Sequence, residues 1–338
     1  MTPARYRLLL AVLSASMLLI AVFSLGVGQY RLPVVRIVQI LASPFGGAGQ
    51  AIPAIEQQVV WDVRLPRVLL ALLVGSGLAL CGATLQGVFR NPLVDPHIIG
   101  VSSGAAFGGT LAILLGWPSV MLLLCAFASG MAALLLVFLI ASLLGRQHIL
   151  VLILAGVILS GFFGALVSLM QYLADTEEKL PSIVFWLLGS FATAHWHSVF
   201  TLAIPLVLAG GLLLRLRWRI NVLSMGEQDA VTLGMRGMRL RWLILTLCAA
   251  IVAAQVAVSG SIGWIGLVVP HIARLWVGPD HRRLLPTAMC LGGGFMVLVD
   301  DLARSITTAE VPLGILTALL GAPAVVIVLC RYRQEVKG

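Results

Sequence analysis

Twenty consecutive residues, Leu8 to Val27, carry no charge. A helix needs about that many, at about 1.5 Å each, to cross the roughly 30 Å hydrocarbon core of a bilayer. Nine further apolar blocks follow, at approximately 66–89, 93–115, 118–144, 149–173, 198–214, 242–259, 262–277, 284–303 and 311–330. Inside a bilayer no water pairs with backbone N–H and C=O groups, so each block is expected to be helical. The expected fold is therefore all-α: a polytopic membrane protein with about ten transmembrane helices. Composition agrees, since 60% of the 338 residues are apolar and only 10% are charged, against roughly 25% charged in soluble domains. Arg5 and Arg7 precede a first run that is too long for a typical signal-peptide core and lacks a clear small-residue cleavage site, so that run is expected to be retained.

The formal charge of +9 does not point to nucleic acid, because the basic residues sit at the ends of apolar runs rather than in a stripe beside aromatics. They point to orientation. With both termini in the cytoplasm, that side holds Arg5, Arg7, Arg90, Arg146, Arg215, Arg217, Arg219, Arg236, Arg239, Arg241, Arg274, Arg282, Arg283, Arg331, Arg333 and Lys337, sixteen in all. The other side holds six, namely Arg31, Arg36, Arg64, Arg67, Lys179 and Arg304. The excess predicts an N-in, C-in topology. Cys81, Cys125, Cys248, Cys290 and Cys330 lie in or beside apolar runs without a CxxC pair, which favours small core residues over a disulfide or zinc site. The only lysines, Lys179 and Lys337, do not follow a glycine as a phosphate-binding loop requires, so this chain carries no P-loop.

Hydrophilic connections are few: 28–62, with Gly46, Gly47 and Gly49 at its tip, and 174–197 outside, and Arg215 to Arg241 inside. The chain is expected to form one transmembrane domain over 1–338. Leu93-Val94-Asp95-Pro96-His97-Ile98 is echoed by Leu267-Val268-Val269-Pro270-His271-Ile272, 174 residues later, with five of six residues matching. The two copies would meet the membrane from opposite sides, as an inverted repeat of a transporter does; a chance match among apolar segments is the other reading. Between Gly82 and Pro96 the chain crowds Gly, Asn, Asp and two prolines, a composition suited to a tight turn with Pro92 and Pro96 near a helix start. Gly100, Gly104, Gly108 and Gly109 would then give the following helix a smooth face for a neighbour.

Several segments carry a resemblance. They are Arg64-Leu65-Pro66-Arg67; Gln86-Gly87 with Arg90-Asn91-Pro92-Leu93; Gly100-Val101-Ser102-Ser103-Gly104-Ala105; and Trp186-Leu187-Leu188-Gly189-Ser190. Further along come Gly263 through His271 with Arg274, Asp300 with Ala303-Arg304, and Glu310-Val311-Pro312-Leu313-Gly314 leading to Gly321-Ala322-Pro323. In this order, from about residue 60 to 330, the chain resembles the FecCD family, permease subunits of type II ABC importers for ferric siderophores, haem and cobalamin. The resemblance implies a bacterial inner-membrane permease paired with a second copy of itself or a paralogous permease. It also implies two ATP-binding subunits below, carrying the ATP and magnesium, and a periplasmic substrate-binding protein above. No cofactor is expected in this chain, no enzymatic activity, and no partner besides these and membrane lipid. The order of expected substrates is ferric siderophore, haem, cobalamin.

The polar segments supply candidate sites. Residues 221–237 form an amphipathic stretch in which Leu223, Ala230 and Leu233 can share a face while Glu227, Gln228 and Asp229 point away. A helix lying on the headgroups is the plain alternative, but the acidic cluster favours docking. The resemblance makes this the segment that enters a cleft on the ATPase, and the coupling candidates are Ser224, Met225, Gly226, Glu227, Asp229, Ala230, Leu233 and Gly234. Arg64, Arg67 and Arg304 either snorkel to headgroups or present a positive rim to acidic groups of the binding protein. Pathway or gate candidates are Asn91, Leu93, Gln147 and Leu150, in the cytoplasmic connections. His195 and His197 lack a third metal ligand nearby, His97 and His271 read as hydrogen-bonded core histidines, and Asp300 and Asp301 are expected to face protein or water and to pair with Arg304. The competing class is a self-contained secondary transporter of a metal ion or metal chelate. It should carry acidic or His residues in mid-span, and 66–89, 118–144 and 242–259 have none.

Overall fold

The computed structural model describes residues 2–28, 30, 32–43, 52–144, 149–235, 237–307 and 310–335. Among them the chain is helical, without strands. Helices α1 (Pro3–Ser24), α2 (Val34–Ala42) and α3 (Ala54–Gln58) lead through a π-helical turn at Val59–Arg64 into α4 (Leu65–Val88). A 3-10 turn at Pro96–Ile99 precedes α5 (Val101–Leu114), and α6 (Ser119–Leu144), α7 (Ile149–Leu173) and α8 (Lys179–Leu188) follow. Next come α9 (Trp196–Pro205), a π-helical turn at Leu206–Gly210, α10 (Gly211–Met225), α11 (Glu227–Thr232) and α12 (Gly237–Ser259). The last three are α13 (Ile265–Val277), α14 (His281–Ala303) and α15 (Leu313–Glu335).

All ten apolar blocks are helical, but they are not alike. Seven stretches are long and apolar enough to cross a membrane, while α5, α8, α13 and the described apolar part of α15 are shorter. The shortening has a local cause at α5 and α13. Asp95 caps the 3-10 turn by accepting from the His97 N–H at 2.9 Å, and Gly100 follows at φ 83°, so α5 starts only at Val101. Before α13 the chain leaves the helix at Gly260, which takes φ 68°, and Trp264 takes φ 71°. Irregular backbone is tolerated at membrane depth when protein satisfies it. Here Ser190 N–H donates to Ser259 O at 3.0 Å, Leu313 N–H to Gly189 O at 2.9 Å, and His97 Nε2 to Ile262 O at 3.1 Å. His97 is therefore hydrogen-bonded as expected, although it is only partly buried rather than in the core. The sequence echo takes two shapes, because Asp95 can cap a 3-10 turn and its counterpart Val269 cannot; the second copy lies within α13.

Helix α4 is the centre. An apolar helix with no polar stripe is shielded from water on every side by protein or by lipid; for α4 the cover is protein, with 78% of an 18-residue apolar window of its span buried, against 11% for α1. It packs on α14, α13, α12, α9 and α10. Glycines permit the approach. A Cβ on Gly75 would stand 2.1 Å from the Gly292 carbonyl oxygen of α14, and one on Gly82 would stand 1.8 Å from the Gly266 carbonyl oxygen of α13. The glycine face of α5 is used likewise, Gly104 and Gly108 resting on α6 and Gly109 on the Trp186 ring of α8. Cys81 and Cys248 are buried neighbours, and the Cys81 thiol donates to the Cys248 carbonyl at 3.8 Å.

Candidate functional site

The chain has polar machinery at both ends of α4. At the end facing α11, α4 stops in a Schellman turn: Arg90 takes φ 52°, its N–H donates to Gly87 O at 3.2 Å, and Asn91 N–H donates to Gln86 O at 3.1 Å. Asn91 Oδ1 then accepts from the Leu93 N–H at 2.9 Å, which turns the chain toward the 3-10 segment. This is the tight turn read from the sequence. Of the gate candidates, Asn91, Leu93 and Leu150 are exposed, and Gln147 lies outside the described residues.

Helix α11 is a single short element between two glycines. Gly226 at φ 149° and Gly234 at φ 72° adopt conformations that L side chains rarely reach, and they end α10 and α11 sharply. Ala230 N–H donates to Gly226 O, and Met235 N–H to Ala230 O, which closes the element on itself. Ser224 Oγ donates to the Asn221 carbonyl at 2.6 Å. Leu223 and Ala230 are buried as expected, but Leu233 does not join their face: it is 54% exposed, and Met225 is 65% exposed. The turn at Leu233–Gly234 lifts the leucine outward, so α11 is flanked by two uncovered apolar side chains, Met225 before it and Leu233 after it, with Asp229 on α11 also exposed. The Glu227 side chain lies outside the described residues. A Cβ on Gly226 would lie 3.6 Å from both Arg90 Nη1 and Asp229 Oδ2, so the end of α4 and the start of α11 meet at this glycine.

Directly behind α11, Asn221 Nδ2 donates to Asp280 Oδ1 at 2.5 Å and Asn221 Oδ1 accepts from the His281 N–H at 2.7 Å. Asp280 is the N-cap of α14, accepting from the Arg282 N–H at 3.0 Å. Burial pushes the Asp280 carboxyl up, but the bonds from Asn221 and Arg282 outweigh it and hold the group below its ordinary value. Further in, Gln86 reaches across to α13: Nε2 donates to Leu267 O at 3.3 Å and Oε1 accepts from Arg274 Nη2 at 2.9 Å.

At the opposite end of α4, Arg64, Arg67 and Arg304 converge. Arg67 holds Asp300 through Nε at 3.0 Å and Nη2 at 2.9 Å, and holds Glu310 through Nη1 at 2.6 Å. Arg64 Nη1 donates to Leu25 O at 2.6 Å and Nη2 donates to Tyr30 O. Arg304 donates to Val27 O at 2.9 Å, Ser24 O at 2.7 Å and Asp301. The expected exposed rim is in fact an inward cluster, with Arg64 and Arg67 5% and 8% exposed. The carboxylates that draw in Arg67 and Arg304 come from the end of α14 and from Glu310, and backbone carbonyls draw in Arg64, partners whose positions in space the sequence does not reveal. The expected pairing of Asp300 and Asp301 with Arg304 is present. Glu310 keeps the most water contact, its side chain 32% exposed.

His195 and His197 are exposed and border a cavity of about 430 Å³ with Trp186, Ser190 and Ser259. Among the described residues no group of three or more His, Cys, Asp or Glu side chains is placed to hold a metal ion.

Residues 16–331 match the FecCD transport family. The chain is 50% identical over 334 residues to the molybdate import system permease protein MolB of Haemophilus influenzae, an overlap of 99% of this chain and 98% of that protein. It is 43% identical over 276 residues to the cobalamin import system permease protein BtuC of Halobacterium salinarum, covering 80% of this chain and 73% of that protein. Among solved structures, one described as the inward-facing conformation of a metal-chelate type ABC transporter is 49% identical, covers 96% of this chain and 99% of its own, and superposes with a TM-score of 0.86. Together with the helical core around α4, these matches show that the chain belongs to the FecCD transport family, the multi-pass permease subunits of ABC importers.

Proposed function

We propose that the chain, with a second permease, forms the membrane pathway of an importer that works by alternating access, driven by ATP hydrolysis on two separate partner subunits. The observation that carries this reading is α11: a short helix held between two positive-φ glycines and flanked by the uncovered side chains of Met225 and Leu233. The chain has no P-loop of its own, so the coupling residues serve as a handle for another subunit. The excess of arginine on the α11 side supports a cytoplasmic position for that end and for both termini. The pathway between two copies is supported by α7, where Gly161 and Gly164 face open space and leave room for a second helix. The gate would lie at Asn91, Leu93, Gln147 and Leu150, between α11 and that pathway.

The binding protein would dock over the arginine cluster at the other end. Its acidic groups would compete with Glu310 for Arg67 rather than meet a free positive rim. The proposed substrate is a molybdate-type oxyanion, because the MolB likeness runs the whole length of both chains at 50% identity. This replaces the sequence-based order, which began with a ferric siderophore. A metal chelate is the second reading, supported by the cobalamin permease and the metal-chelate type transporter.

The test uses Met225→Cys in a background without the native cysteines. In the chain expressed alone, a membrane-impermeant thiol reagent should label it only from the cytoplasmic face, and co-expression of the partner ATPase should protect it. Labelling from outside would overturn the orientation. Undiminished labelling in the assembled complex would move the docking site away from α11.

A further inference from the structure

We propose that Asn221 is a positioning residue for transport, a joint that delivers movement of α11 to α14 and α4. The proposal rests on the coupling role given to α11 above. Asn221 lies near the end of α10, the helix that leads through Gly226 into α11. Both ends of its amide are engaged with another helix. Nδ2 donates to the Asp280 carboxylate at 2.5 Å, while Oδ1 accepts from the His281 backbone N–H and lies 2.7 Å from His281 Nδ1. Since an amide oxygen only accepts, His281 carries its proton on Nδ1. Asp280 is at the same time the cap of α14, so the joint grips the frame of that helix and not a loose side chain.

The linkage continues inward. The His281 ring fills the notch over Gly87, where a Cβ would stand 2.3 Å from Nε2, and lies against the α4 backbone at Ala83. That contact transmits displacement by packing. The adjoining residue, Gln86, holds the Val94, Gly266 and Leu267 carbonyls and Arg274. From α11 the path runs through Asn221, Asp280 and His281 to Gly87 and Gln86, and so to α13 and the turn that carries Asn91 and Leu93. Proximity alone does not establish coupling; the arrangement earns a test because donor and acceptor at 221 and 280 can be exchanged.

Asn221→Asp removes the donor and sets two carboxylates against each other. Asp280→Asn replaces the carboxylate by a neutral acceptor, leaving two amides in place of the amide–carboxylate bond. In Asn221→Asp with Asp280→Asn, the carboxylate at 221 accepts from the amide at 280 and from the His281 N–H, and the amide oxygen at 280 still caps α14. Each variant is to be built into the complete transporter in vesicles, with ATPase subunits and binding protein, and uptake per ATP hydrolysed measured with molybdate, cobalamin and haem as probes. Asn221→Asp should still assemble but should transport roughly tenfold less per ATP, the scale of a lost hydrogen bond to a charged group, while Asp280→Asn, which keeps the acceptor and loses only its charge, should fall less. The exchanged pair should recover most of that ratio. An unchanged ratio in the single variants, or uptake and hydrolysis falling together as assembly is lost, would overturn the proposal. Failure of the coupling reading is separate: it would appear as an unmutated transporter whose uptake of every probe is independent of ATP, and it would remove the basis of this proposal too.

Discussion

Truncating Arg67 to alanine is expected to lower the stability of the chain in detergent by about 3–5 kcal/mol, the usual cost of breaking a buried ion pair from one side. Asp300 is 1% exposed and would keep only the more distant Arg304, whose Nε is 3.7 Å from its nearer oxygen. A carboxylate left in that position has neither water nor a bidentate partner. Glu310→Gln should cost far less, because its side chain is 32% exposed and water can replace part of what is lost. Arg239→Ala removes an exposed arginine and should stay within about 0.5 kcal/mol. Thermal unfolding of the three variants beside the parent chain checks the order. Arg67→Ala and Arg239→Ala melting alike would mean that the cluster is not a structural tie between α4, α14 and the segment before α15.

Alanine in place of glycine should have opposite signs at two helical positions. In a helix interior the exchange gains about 1 kcal/mol from propensity alone, and Gly161 on α7 has nothing within 4 Å to oppose it. Gly161→Ala should therefore leave the isolated chain as stable as before or slightly more so. At Gly82 the new methyl would stand 1.8 Å from a backbone oxygen of Gly266. No side chain there can rotate away, so α4 and α13 must part. The cost should reach or exceed the 1–3 kcal/mol typical of overpacking, and the separation would strain the bonds from Gln86 to the Gly266 and Leu267 carbonyls. A loss of stability from Gly161→Ala equal to that from Gly82→Ala would show that the close approach of α4 and α13 is not what the central helix depends on.

The residues that made the fold legible are those the bilayer constrains. Uncharged runs had to be helices, and the glycines of α5 announced a close neighbour. The sharp turn after α4 could be read from Asn91 and the prolines. What stayed hidden depends on partners distant in sequence. Arg67 and Asp300 are 233 positions apart, so the arginines near the ends of apolar runs looked like free charges when they are inward ties. Leu233 fits the apolar face of a regular helix, but α11 ends at Thr232 and the turn rotates the leucine outward. Helix α8 was missed because it is ten residues long; Lys179 Nζ anchors it by donating to the Leu114 carbonyl at the end of α5 at 2.7 Å. The Asn221 joint left one trace, the sequence Asp280-His281 at the start of an apolar block, where an N-cap belongs. Nothing in the sequence said that the cap would be held from α10.

The account stands or falls on the source of energy for transport. The purified chain, alone and then assembled with its ATPase subunits and binding protein, is to be placed in sealed vesicles, and uptake of molybdate, cobalamin and haem followed with and without ATP on the ATPase side. The expected result is uptake of one of these probes only by the full assembly, only with ATP, and undiminished when ionophores collapse every ion gradient. Uptake by the chain alone, driven by an imposed ion gradient and indifferent to ATP, would make it a self-contained secondary transporter and contradict the coupling role of α11.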